Sequence, residues 1–97
     1  MIRKAMYSVI TTAHFDRLLR KLASKHTELA AKYEEAISIL SSDPLNVSRT
    51  HPIKKLQDVP AGDGQYRLRS GRFRFRYDIE EYEVILSYCG LRREDTY

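Results

Sequence analysis

Arginine and aromatic residues alternate along residues 65–77, whose sequence is QYRLRSGRFRFRY and contains no acidic residue. A guanidinium group is planar and permanently charged, and its paired N–H donors match the oxygens of a phosphate group. Folded as a hairpin with Ser70-Gly71 as a two-residue turn, the segment places Arg69 opposite Arg72. Because side chains alternate between the two faces of a strand, we expect the aromatic residues on one face and the arginines on the other. The members of this predicted arginine face are Arg67, Arg69, Arg72, Arg74 and Arg76.

The predicted arginine face would destabilise a hairpin that has only a structural role. Like charges directly opposite each other in a ladder cost a few tenths to ~1 kcal/mol per pair. A polyanion that neutralises the repulsion is the simplest explanation, and the pattern therefore predicts a polyanion-binding surface. The alternative is a solvated face that is partly paired with acidic residues such as Asp78 or Glu83.

The composition is that of one small domain, with 97 residues, 42% hydrophobic residues, a net charge of +4 and a pI near 9.3. This charge permits a nucleic-acid partner without demanding one. The single cysteine, Cys89, excludes an internal disulfide and fits a reducing compartment. No apolar run approaches the ~20 residues that span a bilayer, and the basic start lacks the apolar stretch of a signal peptide. We therefore expect a cytoplasmic protein.

Neither a metal nor a small-molecule cofactor is expected. The histidines, His14, His26 and His51, are scattered along the chain and do not show the close spacing of metal ligands. The sequence also contains no internal repeat.

Two amphipathic helices are predicted in the first half of the chain. Apolar residues recur at helical spacing over 15–22 and again over 29–40. Thr11 or Thr12 is placed to cap the first helix, and Thr27 is a candidate cap for the second. The short link between them predicts a helical hairpin.

Strands are predicted at 6–11, 53–59 and 82–89, in addition to the two strands of the arginine hairpin. The order of elements is then β-α-α-(β)-β-β-β. Two helices must cover the apolar face of a mostly antiparallel sheet of four to five strands, so the predicted fold is α+β with the helical hairpin on one face of the sheet. The arginine face is left open as the second surface.

The last predicted strand has two faces of different size. Strict alternation places Tyr88 on the same face as Val84 and Leu86, and it places Cys89 on the opposite face. Gly90 is expected to end the strand.

The ordered motifs of the chain resemble the RelE/ParE toxin superfamily of type II toxin–antitoxin systems. They are the DP that closes the second helix, the KKL before a glycine-rich turn, YRLRSGRFRFRY, and a final R-x-x-x-Y. The resemblance covers residues 6–97 and implies a single toxin domain, residues 1–97, that is held inactive by a cognate antitoxin. In the RelE-like branch such a toxin is an endoribonuclease that enters the ribosome and cleaves mRNA.

RelE-like enzymes cleave RNA without a metal, by attack of the 2′-hydroxyl of the RNA on the neighbouring phosphate. Arginines stabilise the phosphate, and a tyrosine stacks on a base or assists proton transfer. The resemblance implies as catalytic residues Arg67, Arg69, Arg74, Arg93 and Tyr97. It implies as further RNA-binding residues Lys54, Lys55, Arg72, Arg76 and Arg92.

The general base is left open by the resemblance. An arginine stands at position 67, where the family often has a lysine, and arginine holds its proton too tightly to act as a base. Lys54, Lys55 or the ribosomal RNA could serve instead. An acidic antitoxin segment is expected to cover Arg67, Arg74 and Arg93.

Two other functions are compatible with the sequence. In the ParE branch the toxin inhibits DNA gyrase and has no hydrolytic site. The third possibility is a catalytically inactive RNA-binding relative, because Leu91 stands at the strict position of a family arginine, with Arg92 beside it. The basic cluster together with Tyr97 favours RNA cleavage over gyrase inhibition.

Overall fold

In the computed structural model, which describes residues 6–92, five strands form one sheet in the order β1-β5-β4-β3-β2. The strands are β1 (Ser8–Thr11), β2 (Ile53–Lys55), β3 (Tyr66–Ser70), β4 (Phe73–Glu80) and β5 (Glu83–Leu91). Strand β1 runs parallel to β5, and every other neighbouring pair is antiparallel. The predicted α+β fold with a mostly antiparallel sheet is confirmed.

Helices α1 (Ala13–Ala23) and α2 (Leu29–Ser42) form the second layer. Thr12 caps α1 as predicted, because its Oγ1 accepts a hydrogen bond from the N–H of Phe15 at 3.0 Å. The cap predicted at Thr27 is wrong, since the N-cap residue of α2 is Glu28, which makes no side-chain cap hydrogen bond. Neither helix is long and apolar enough to cross a membrane.

The core lies between the helices and one face of the sheet. Most of its buried aromatic side chains come from β4, where Phe73, Phe75 and Tyr77 are fully buried. The hydroxyl of Tyr77 donates a hydrogen bond to the carbonyl of Pro44 at 2.7 Å, which ties the loop after α2 to the sheet. The other buried apolar residues are Phe15, Leu29, Ala36, Leu40, Leu68, Val84, Leu86 and Cys89.

The hairpin of β3 and β4 has a different register from the predicted one. Its turn is Gly71-Arg72, so Arg69 lies opposite Arg74 and not opposite Arg72. Gly71 takes a positive φ of 61°, as the first central residue of a tight hairpin turn commonly does. Ser70 remains in the strand because it is buried and its hydroxyl donates a hydrogen bond to Oε1 of Glu35 at 2.9 Å.

Strand β5 contains a bulge that reverses the predicted faces of its second half. Tyr77 pairs with Leu86 but Arg76 pairs with Tyr88, which leaves Ser87 as the extra residue. Tyr88 therefore lies on the face away from the helices, and Cys89 lies in the core on the helix side. The predicted face is wrong for both residues. The predicted end of the strand at Gly90 is also wrong, since β5 continues to Leu91.

Candidate functional site

The sheet surface away from the helices carries basic side chains on three adjacent strands. The register places Lys54 opposite Arg67, Arg67 opposite Arg76, and Arg69 opposite Arg74. Residues directly opposite each other have Cβ atoms about 4.5–5.5 Å apart, so these positive charges form one continuous patch. We refer to this patch as the open face, and its members are Lys54, Arg67, Arg69, Arg74 and Arg76.

Arg67 and Arg74 are two cations of the open face whose side chains pack against the sheet. Both are half-buried, and the Nε atom of each is covered, whereas Arg69 between them is exposed. A guanidinium whose stem is packed against the sheet loses less side-chain entropy when it binds a ligand. These two arginines are therefore placed to hold an anion in a fixed position.

Arg76 holds the glycine-rich turn against β4. Its guanidinium donates hydrogen bonds to the carbonyl of Asp63 at 2.9 Å and to that of Gly64 at 3.0 and 3.1 Å. On the same strand, the buried carboxylate of Asp78 accepts hydrogen bonds from the N–H groups of Gly64 at 2.8 Å and Gln65 at 3.1 Å. The sequence suggested an RNA-binding role for Arg76 and a charge-pairing role for Asp78, but both side chains bond to this turn.

Arg72 does not share the open face with the other arginines, in contrast to the sequence-based prediction. It lies in the hairpin turn, with Nη1 at 3.5 Å from Oε2 of Glu28 and Nη2 at 3.4 Å from Nδ1 of His26. Turn residues do not follow the alternation of side chains between the two faces of a strand. Arg72 is therefore directed toward the start of α2.

The two adjacent lysines of β2 lie on opposite faces of the sheet. Lys54 joins the open face beside Arg67. Lys55 lies opposite Tyr66 on the helix side, with its Nζ 5.7 Å from the centroid of the Tyr66 ring, which is a cation–π distance. Lys54 is thus the lysine that is near the arginines.

The predicted residues at the carboxyl end are described only in part. Arg92 is exposed, and its N–H donates a hydrogen bond to the carbonyl of Arg72 at 2.8 Å, next to the hairpin turn. Arg93 and Tyr97 lie outside the described residues.

Tyr88 is a member of this surface that the sequence pattern did not reveal. The bulge at Ser87 places it opposite Arg76 on the open face. Its phenol lies over Gly90, which is the partner of Arg74 in the ladder. Alternation continued from Val84 and Leu86 assigns Tyr88 to the core side, so the prediction missed its place on this surface.

Two titratable groups of the core are not suited to nucleophilic chemistry. Burial raises the pKa of the Cys89 thiol to about 12, so at neutral pH the thiol remains protonated in the core. Burial also raises the pKa of Tyr77. Within residues 6–92, no group of three or more His, Cys, Asp or Glu side chains could hold a metal ion.

Comparisons with known proteins identify a related fold. No protein-family model and no curated protein matches the sequence. Among solved structures, the crystal structure of the archaeal RelE–RelB complex from Pyrococcus horikoshii OT3 contains a similar chain, with a TM-score of 0.68 and 20% sequence identity. The match covers 90% of this chain and 96% of that chain. The chain thus has a RelE-like fold, as its sequence motifs predicted.

Proposed function

We propose that this chain is the toxin of a type II toxin–antitoxin system and that it cleaves mRNA on the ribosome. The observation that carries the proposal is the open face of a RelE-like sheet, where Lys54, Arg67, Arg69 and Arg74 form one basic patch. Asp78, a buried acidic residue of β4 on that side, has its carboxylate bonded to backbone N–H groups. The concentration of positive charge on these adjacent strands supports binding of a polyanion.

The proposed reaction is an internal attack within the RNA. The 2′-oxygen bonds to the phosphorus while the bond from phosphorus to the 5′-oxygen breaks, which leaves a cyclic phosphate and a 5′-hydroxyl. The 2′-proton passes to a base, and the 5′-oxygen takes up a proton. Arg67 and Arg74 are placed to stabilise the charge on the phosphate oxygens, a contribution of roughly 3–4 kcal/mol for one such contact in a preorganised site.

Among the proposed bases, the geometry favours Lys54. It is the cross-strand neighbour of Arg67 on the open face, whereas Lys55 packs over Tyr66 on the other side of the sheet. Arg93 and Tyr97 keep the roles that the resemblance implies, Arg93 in phosphate binding and Tyr97 in base stacking or proton transfer. Arg69 and Arg92 would bind the RNA backbone as exposed cations.

The proposed partners are a cognate antitoxin, the ribosome and mRNA, in the cytoplasm. An acidic antitoxin segment that folds on the open face would neutralise Arg67 and Arg74 and exclude RNA from them. The similar solved chain comes from a RelE–RelB complex, which supports a protein partner of this kind.

Inducing the protein in growing cells tests the proposal. Methionine incorporation should stop before thymidine incorporation, because translation is the target. Arg74→Ala should abolish growth arrest, whereas Arg20→Ala, which removes an exposed arginine of α1, should not. If thymidine incorporation stopped first, the target would be gyrase, and an undiminished arrest by Arg74→Ala would remove Arg74 from the mechanism.

A further inference from the structure

The position of Tyr88 depends on the bulge in β5. If alternation continued from Val84 and Leu86, Tyr88 would be buried against the helices. The extra residue Ser87 directs it to the open face instead, opposite Arg76. Bulges interrupt the hydrogen bonds of the ladder, and they are common next to active sites, where they redirect a side chain.

Gly90 provides the space that the phenol of Tyr88 occupies. A Cβ atom at position 90 would collide with the Tyr88 hydroxyl oxygen and lie 2.9 Å from its Cζ. The glycine is not needed for the backbone, because Gly90 is not among the glycines with a positive φ. Gly90 lies directly opposite Arg74, which is a candidate for phosphate binding. The hydroxyl end of Tyr88 is therefore beside Arg74.

We infer that Tyr88 is a phosphate-contacting residue of the open face, whose hydroxyl donates a hydrogen bond to the RNA backbone beside Arg74. The inference rests on the proposed function and adds a residue to its site. A neutral hydroxyl supplies an oriented donor to an anionic oxygen without adding to the repulsion among the arginines. Tyr88 is half-buried, so its ring rests on the sheet while part of it faces solvent.

Two variants separate the hydroxyl from the position of the ring. Tyr88→Phe keeps the ring over Gly90 and removes the donor. Gly90→Ala keeps the hydroxyl, but the added methyl displaces the phenol from its place beside Arg74. Each variant should slow ribosome-dependent cleavage of a reporter mRNA about 10- to 100-fold, which is the range for one hydrogen bond to a charged group. Tyr82→Phe, at an exposed tyrosine, serves as the matched control and should cleave at the wild-type rate.

The urea-unfolding midpoint provides a measure of a merely structural role. Tyr88→Phe should still unfold cooperatively, so that its cleavage defect does not come from loss of the fold. Any loss of stability in Gly90→Ala should disappear in the double variant Tyr88→Ala/Gly90→Ala, since the added methyl then has no ring to displace.

Binding of a short fluorescein-labelled 2′-O-methyl RNA, measured by anisotropy, tests the inference independently of cleavage. Tyr88→Phe should weaken this binding about 10-fold or more. If the wild type bound this RNA but did not cleave mRNA, the proposed function would fail while the inference stood. The inference is overturned if Tyr88→Phe binds and cleaves like the wild type, or if the wild type does not bind the RNA at all.

Discussion

Two arginines with similar aromatic neighbours in the sequence make different contacts in this structure. Arg74 and Arg76 are two residues apart on one strand and on the same face. Arg76 bonds to the carbonyls of the glycine-rich turn, while Arg74 is seated in the open face beside Tyr88. The sequence pattern identifies the face that such arginines share, but the partner of each depends on a loop that folds back from ten or more residues away.

Asp78 is expected to be important for stability and not for binding. Asp78→Ala would leave the N–H groups of Gly64 and Gln65 without their acceptor at a buried or half-buried site. We expect a loss of about 2–3 kcal/mol in the free energy of unfolding, measured in urea. Glu80→Ala, at an exposed acidic residue of the same strand, should change it by less than about 0.5 kcal/mol. Equal effects of the two substitutions would contradict this role of Asp78.

At the scale of elements, the faces of the hairpin could be predicted but its register could not. A shift of the pairing by two residues leaves every side chain on its original face, so alternation alone does not distinguish the two registers. What distinguishes them is the part-buried hydrogen bond from Ser70 to Glu35 of α2. That bond joins residues far apart in the sequence, and no local pattern reveals it.

The bulge and the lysine pair show the same limit of sequence reasoning in β5 and β2. A single extra residue at Ser87 exchanged the predicted positions of Tyr88 and Cys89. The assignment of Lys54 to the open face followed once β2 was paired with β3. The helices, the strand order along the chain and the apolar face of the sheet were predictable, because they follow from periodicity within each element.

The start of α1 offers a test of helix capping in this fold. Thr12→Ala removes the acceptor for the N–H of Phe15 and should lower the free energy of unfolding by about 1 kcal/mol. Thr27→Ala changes a residue that the sequence suggested as a cap but that precedes Glu28, the residue at the start of α2. It should have an effect within about 0.5 kcal/mol in the same denaturation measurement. A larger effect at Thr27 would show that α2 has a side-chain cap after all.

At the scale of the whole molecule, one face of the sheet stabilises the fold, and the other carries the basic patch for which RNA cleavage is proposed. The two helices cover the aromatic face of the sheet, where the buried apolar residues lie. The opposite surface needs no apolar side chains from β3 and β4, so cations can occupy it. This division explains how a small domain can maintain a basic patch whose members repel one another.

Stability should fall at alkaline pH because the core contains acidic groups that stay protonated. Burial raises the pKa of Cys89 to about 12 and also raises the pKa of Tyr77. In the unfolded chain a thiol loses its proton near pH ~8.5. The contribution of the protonated thiol to folding stability is therefore complete below that pH, and it is lost as the pH rises toward the pKa of the thiol in the folded chain. The loss should not exceed ~1.4 kcal/mol per pH unit for each group.

Urea unfolding at pH ~8 and pH ~10.5 measures this loss, and Cys89→Ala isolates the thiol. The variant is expected to start from a lower stability, because a buried side chain is shortened, but to lose less between the two pH values than the wild type. Parallel losses in the two proteins would contradict the role assigned to Cys89.

The central claim is that the open face cleaves mRNA on the ribosome. Primer extension on a reporter mRNA in a purified translation system, with and without this protein, tests that claim most directly. The account predicts cuts at regular codon positions that appear only when ribosomes are present. Intact mRNA together with undisturbed translation would contradict it.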